Sequence, residues 1–294
     1  MSTGERNAEY WAKRAIFHAL ALLPTDWVSN IGSHGIRRNV RLNRPEIIAN
    51  ARANLARHRP GATPEQLDAW IEEFLDGVGR IMAEFSVIHR FHREGRLAIE
   101  GLDAFRVLAG REPLIAIGLH TGNWETFGPV FQQAGIPLTS FYQPPDDLLE
   151  REVAVKTRRR FGVDLLRPDA SGVREAMRRL RANRVVMIFP DEARDGRTMG
   201  PLFGREPHEA GNLSIAARLS RHTGARFVIC HSERLAGARF RLRFGAPFAL
   251  PERARPDRLA DVAFLNAEVE PIVAANIPRW YFLDDSIAPI DQKT

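Results

Sequence analysis

The spacing of apolar residues along the chain changes period several times, and each change marks an element. Thr63-Pro64-Glu65-Gln66 supplies an N-cap, a proline at the first helical position and a capping-box glutamine. From there Leu67, Trp70, Ile71, Phe74, Leu75, Val78, Ile81, Met82, Phe85 and Ile88 recur with helical spacing. They predict a long helix whose broad apolar stripe packs into a core. Short apolar runs at 97–100, 114–119, 137–142, 163–166, 185–189 and 226–231 predict strands, with helical stretches between several of them. Arg239-Phe-Arg-Leu-Arg-Phe244 alternates strictly, as a strand with one wet face does. A late helix is expected over 257–275. No repeat, low-complexity segment or linker interrupts the pattern, which predicts one α/β domain with a central mixed sheet flanked by helices and an N-terminal helical cap.

The first residues carry a different signal. Residues 15–23 are apolar but for His18, far short of the roughly 20 apolar residues that cross a bilayer. They predict a short amphipathic helix, and Tyr10, Trp11, Phe17 and Trp27 with Lys13 and Arg14 suit a membrane interface. The expected division is an interfacial segment over 1–31 and the main domain over 32–294. Glu5 and the lack of a small-residue cleavage pattern speak against a cleaved secretory leader.

Composition narrows the class. With 44% hydrophobic and 27% charged residues in 294, the chain reads as globular, neither disordered nor a multispanning membrane protein. The single Cys230 cannot form an internal disulfide and lies in the strand-like run 226–231, as a packed core thiol would. The net charge of +6 is unevenly spread. Residues 156–184 hold ten cations against three carboxylates, and residues 34–59 hold seven arginines against Glu46. Such blocks favour anionic partners, with an anionic membrane surface, a phosphorylated lipid and an acidic carrier protein among them. No nucleic-acid motif accompanies them, so no nucleic-acid partner is expected.

The chemistry concentrates in Gly118-Leu-His-Thr-Gly-Asn-Trp-Glu-Thr-Phe-Gly128. His120 follows an apolar run that reads as a buried strand, at the carboxyl end where open α/β sheets place ligands. Glu125 lies five positions on, about 140° away on a continuous helix, so a turn must intervene if the two are to meet. The pair would then be an imidazole set by a carboxylate, able to take a proton from a hydroxyl near neutral pH. There is no G-x-S-x-G elbow, no phosphate-binding Walker loop and no H-E-x-x-H pair, and no further His or Cys stands at a metal-ligand spacing. Neither a metal nor a cofactor is expected.

This stretch resembles the H-x-x-x-x-[DE] signature of the late acyltransferases of bacterial lipid A biosynthesis, in its Asn-Trp-Glu form. Val185-Val-Met-Ile-Phe-Pro190 with Asp191, then Pro201-Leu-Phe-Gly204, Ala216-Ala-Arg-Leu219 and Thr223-Gly-Ala225 resemble that family's second block in order and spacing. Arg38-Asn39 through Pro45 resembles its N-terminal region, so the likeness spans roughly residues 15 to 283.

The resemblance implies a glycerol-3-phosphate acyltransferase-like fold and an O-acyltransferase at the cytoplasmic face of the bacterial inner membrane. It implies an acyl carrier protein or acyl-CoA thioester as donor and a lipid A precursor or related glycolipid as acceptor. Another acceptor, such as a phosphatidylinositol mannoside or a lysophospholipid, and a non-catalytic lipid-binding paralogue are the alternatives. His120 is expected to be the general base and Glu125 its orienting partner, with Asn123 beside them. An arginine shortly after the motif matches a functional family position, which the run Arg158-Arg159-Arg160 leaves open; Arg159 is preferred, then Arg158. Asp191 matches the acidic residue after the second-block strand, where Asp191-Glu192-Ala193-Arg194-Asp195 departs from the family's usual continuation with Gln or His and another Asp.

Overall fold

Four helices precede the sheet. They are α1 (Ala8–Leu20), α2 (Thr25–Asn43), α3 (Pro45–His58) and α4 (Pro64–Glu84). The computed structural model describes residues 6–288. In α4 the capping box forms, Thr63 Oγ1 accepting from Gln66 N–H and Gln66 Oε1 from Thr63 N–H. The helix stops at Glu84, four residues short of the end of its apolar stripe, where Ile88–Arg90 forms a 3-10 turn. α2 lies against α4 at Gly32 and Gly79, where a Cβ built on Gly32 would stand 2.3 Å from the Gly79 carbonyl oxygen. α2 runs through residue 31, the boundary expected between an N-terminal segment and the main domain.

The remaining chain alternates strands and helices: β1 (Leu97–Glu100), α5 (Leu102–Leu108), β2 (Leu114–Gly118), α6 (Phe127–Gln133), β3 (Leu138–Phe141), α7 (Leu148–Arg160), β4 (Asp164–Leu166), α8 (Ala170–Arg181) and β5 (Val185–Ile188). A two-stranded ribbon, β6 (Ala193–Arg194) and β7 (Arg197–Thr198), precedes α9 (Asn212–Thr223), β8 (Arg226–Arg234), β9 (Phe240–Phe244) and α10 (Arg258–Ala275). The seven-stranded sheet has the order β1-β9-β8-β2-β5-β3-β4. All its pairings are parallel except β8 with β9, so the sheet is mixed, as expected.

β2 is buried on both faces, which is why its sequence is continuously apolar. Ile115 and Ile117 face a core shared with α3, α4, α8, α9 and α10; Leu114 and Ala116 face a second core built on α5, α6 and the phenylalanines Phe91, Phe127 and Phe131. The chain leaves β2 for β3 and β4 on one side, returns through β5, then crosses to β8 on the other. The carboxyl ends of β2 and β5 therefore flank a topological switch point, where such sheets bind ligands.

Candidate functional site

Ile117 of β2 stands opposite Ile188 of β5. Three residues beyond each come His120 and Asp191, and the shared register brings them together. His120 Nδ1 lies 2.9 Å from Asp191 Oδ1, the His120 backbone N–H donates to Oδ2 at 2.7 Å, and the Trp280 indole N–H donates to Oδ2 at 3.0 Å. Asp191 is fully buried, so these three donors take the place of water around its carboxylate. A carboxylate facing Nδ1 selects the tautomer with its proton there, which leaves the lone pair on Nε2.

The C-terminal segment closes the site. Thr121 bridges to Trp280, and the Tyr281 N–H donates to the His120 carbonyl at 3.0 Å. Around the imidazole stand Trp124, Phe189 and Phe282, with ring centroids at 4.9, 4.5 and 5.0 Å.

Glu125, expected to orient the imidazole, is instead hydrogen-bonded to Arg158 and to an indole. Its carboxylate accepts from Arg158 Nε at 3.1 Å and Nη2 at 2.5 Å, and from Trp124 Nε1 at 3.0 Å. The local reason is the turn. Gly122 adopts φ +60°, and a Cβ there would meet the Ser232 carbonyl oxygen at 2.3 Å. Asn123 then caps a 3-10 turn over Trp124–Thr126, its Oδ1 accepting the Glu125 N–H at 3.2 Å. Its Nδ2 donates to Glu84 Oε2 at 2.8 Å. Glu84 is itself fully buried, held by Arg234 at 2.7 and 2.9 Å and by Ser29 at 2.7 Å. This buried knot joins α2, α4 and β8 to the turn that carries Glu125.

Of the two arginines weighed from the sequence, Arg158 lines the cavity and the preferred Arg159 is exposed. Burial works against the Arg158 charge, yet Glu125 outweighs it and holds the guanidinium pKa above its ordinary value. The same guanidinium lies 4.9 Å over the Tyr142 ring. The buried Tyr142 hydroxyl has no partner among the described residues, and burial raises its pKa.

These groups open on a cavity of about 1190 Å³. His120, Glu125, Arg158 and Tyr142 share its lining with the apolar Leu138, Phe161, Val163 and Met187. Glu192 lies there too. Its Oε1 accepts the Asn212 N–H at the start of α9 at 2.9 Å and Arg194 Nη2 at 3.1 Å, while Oε2 is buried without a partner; burial pushes the carboxyl up to about 8. Among the described residues no three His, Cys, Asp or Glu side chains could together hold a metal. Cys230 is buried in β8, its thiol donating to the Val228 carbonyl, and burial pushes its pKa up, away from a nucleophilic thiolate.

Sequence reasoning missed Glu84, Tyr142, Arg234 and the aromatic segment 280–282. For Glu84 a signal existed. It stands three after Ile81 and four before Ile88, inside the apolar stripe, and a carboxylate there must find a buried partner. The arrangement as a whole is a buried aspartate paired with a partly exposed histidine at a switch point, a guanidinium held by a second carboxylate, and a cavity with a partly apolar wall. It suits proton removal from a substrate that carries hydrocarbon. No curated protein matches the chain. The family model described as bacterial lipid A biosynthesis acyltransferase matches residues 4–286, and the chain belongs to that family.

Proposed function

We propose that the protein moves a fatty acyl group from a thioester, on acyl carrier protein or coenzyme A, to a hydroxyl of a lipid A precursor or related glycolipid. The His120–Asp191 pair on the wall of a cavity large enough for an amphiphile is the observation that carries this reading. His120 Nε2 removes the proton of the acceptor hydroxyl, and the fixed carboxylate of Asp191 stabilises the imidazolium that forms. The acceptor oxygen attacks the thioester carbon, and the carbonyl electrons move to oxygen. When the tetrahedral intermediate collapses, the C–S bond breaks and the leaving sulfur takes the proton back from His120. The oxyanion requires donors. Among the donors on the cavity wall, Arg158, positioned by Glu125, and the unpartnered Tyr142 hydroxyl can fill this role. No covalent acyl-enzyme is needed.

The reaction belongs at the cytoplasmic surface of the inner membrane, where the acceptor resides. No helix among the described residues is long and apolar enough to cross a bilayer. Trp11, Ile16, Leu22, Trp27 and Ile31 of the first two helices and their link are exposed, however, which supports peripheral docking. Mass spectrometry of products from purified protein, acyl carrier protein and CoA thioesters, and a panel of glycolipids and lysophospholipids tests the function. A glycolipid mass increased by one acyl group, absent with His120→Ala, is expected. Acylation of lysophospholipids alone would replace the acceptor, and no product with any pair would overturn the reading.

A further inference from the structure

α8 and α9 pack side by side on the same face of the sheet, and each turns one helical face into the cavity. On α8 that face is Ala170, Val173, Arg174 and Met177; on α9 it is Ile215, Arg218, Leu219 and His222. Both sets follow the i, i+3, i+4, i+7 spacing of a single helix side. α8 and α9 thus contribute to one stretch of the cavity lining the apolar Val173, Met177, Ile215 and Leu219 beside Arg174, Arg218 and His222, and this stretch is the α8–α9 groove.

The charges divide sharply into paired and unpaired. On the same two helices Arg178 and Arg179 bind Glu175, Arg179 also faces Asp164, and Arg221 binds Asp261. In the cavity lining Arg194 binds Glu192 and Arg258 binds Glu209. Asp169 is occupied by Arg167 and by capping α8. Arg174 and Arg218 have no carboxylate within ion-pair distance among the described residues, and Asp195 is the one lining carboxylate left to offset them. Two guanidiniums beside one cavity, each with its full set of donors available, match a phosphoryl group, whose oxygens take bidentate bonds.

We infer that the α8–α9 groove is a subsite for the acceptor lipid, holding a phosphate of that lipid between Arg174 and Arg218 with hydrocarbon against Val173, Met177, Ile215 and Leu219. The donor's phosphopantetheine arm also carries phosphate. In that arm two amide linkages separate the phosphate from the acyl chain, whereas a lipid A precursor carries phosphate and acyl chains on the same sugar headgroup, so the amphiphilic acceptor fits better. The assignment to the acceptor rests on the proposed acyl transfer; the anion subsite itself does not.

The test is therefore in two parts. Calorimetric titration with dodecyl phosphate below its micellar concentration, with dodecyl maltoside as the uncharged control, compares wild type with Arg174→Gln/Arg218→Gln. Losing two charged hydrogen-bonding groups should weaken dodecyl phosphate binding by about tenfold or more, leaving the maltoside within about twofold. Arg178→Gln/Arg181→Gln, on α8 but outside the cavity lining, should bind both as wild type does, and thermal melts report whether each variant is folded. Equal dodecyl phosphate affinity in wild type and a folded Arg174→Gln/Arg218→Gln protein overturns the subsite. In steady-state kinetics the double variant should raise KM for the phosphorylated acceptor and leave KM for its dephosphorylated form and for the thioester unchanged. A rise in the thioester KM alone would assign the phosphate to the donor and overturn the acceptor assignment. If no pair reacts while dodecyl phosphate still discriminates the variants, the acyl-transfer reading fails and the subsite stands.

Discussion

At the scale of single residues, two carboxylates that look equivalent in the sequence do different work. Asp191 touches the imidazole directly, whereas Glu125 is bonded to Arg158 and Trp124 and not to the imidazole. Replacing His120 with Ala should cost about 10²–10⁴ in kcat, as loss of a general base does. Asp191→Asn removes the negative charge and permits the wrong tautomer, so kcat should fall by up to about 10⁴ with KM nearly unchanged. Glu125→Gln should cost less and shift the loss toward substrate binding, because the guanidinium loses its anchor and keeps its charge. Equal kcat losses for Asp191→Asn and Glu125→Gln, measured on folded proteins, would contradict this division. The motif exposed His120, Asn123 and Glu125 in the sequence, and the strand runs exposed the ends where they lie. What the sequence could not supply was the partner. Whether His120 meets Glu125 or Asp191 is decided by the register of β2 on β5, a relation between segments 71 residues apart in the pairing of His120 with Asp191. The choice between Arg158 and Arg159 turned on the facing of α7, which its almost wholly charged last turn could not reveal.

At the scale of elements, periodicity was a dependable guide wherever burial was one-sided or complete. The seven strands of the main sheet and α10 lie where they were expected, and α4 does up to Glu84, whereas the β6–β7 ribbon and the 3-10 turn over Trp124–Thr126 are too short to have a period. Two features carry predictions. The α2–α4 contact depends on the absence of side chains at Gly32 and Gly79, so Gly79→Ala, though it favours helix locally, should destabilise the fold by about 1–3 kcal/mol through overpacking. A lower Tm than wild type checks this, and an unchanged or higher Tm would mean that the helices separate freely. Glu192 gives a pH dependence. Its carboxyl is raised from 4.5 to about 8 in the fold, so between these values the unfolded chain ionises first and stability falls as pH rises. The slope is at most about 1.4 kcal/mol per pH unit. Glu192→Gln should flatten that dependence, its stability relative to wild type improving from pH 5 to pH 8 in denaturant titrations; parallel curves would show that the carboxyl is already ionised.

At the scale of the whole molecule, more than half of the basic block at 34–59 is paired within the protein. Of the seven arginines in 34–59, Arg37, Arg41, Arg44 and Arg52 already face carboxylates. Vesicle binding should therefore depend chiefly on the exposed apolar residues, with only a modest preference for anionic lipid and modest weakening by salt. In flotation assays Leu22→Ser/Trp27→Ser should release the protein from vesicles more than 0.5 M salt does, and the reverse order would restore charge as the main attraction. The position of Trp280 has a consequence for the order in which the molecule is made. The exposed apolar residues of α1 and α2 are synthesised before His120 and Asp191, and the indole that clamps Asp191 and the phenyl ring that walls His120 come after both. A product ending at residue 276 would carry the whole sheet and the exposed apolar residues of α1 and α2, yet lack one wall of the site and the core side chains Ile277, Trp280 and Leu283. Such a product should float with vesicles like the intact protein and transfer nothing, so that an interrupted translation leaves a passive occupant of the membrane surface and not a leaky enzyme.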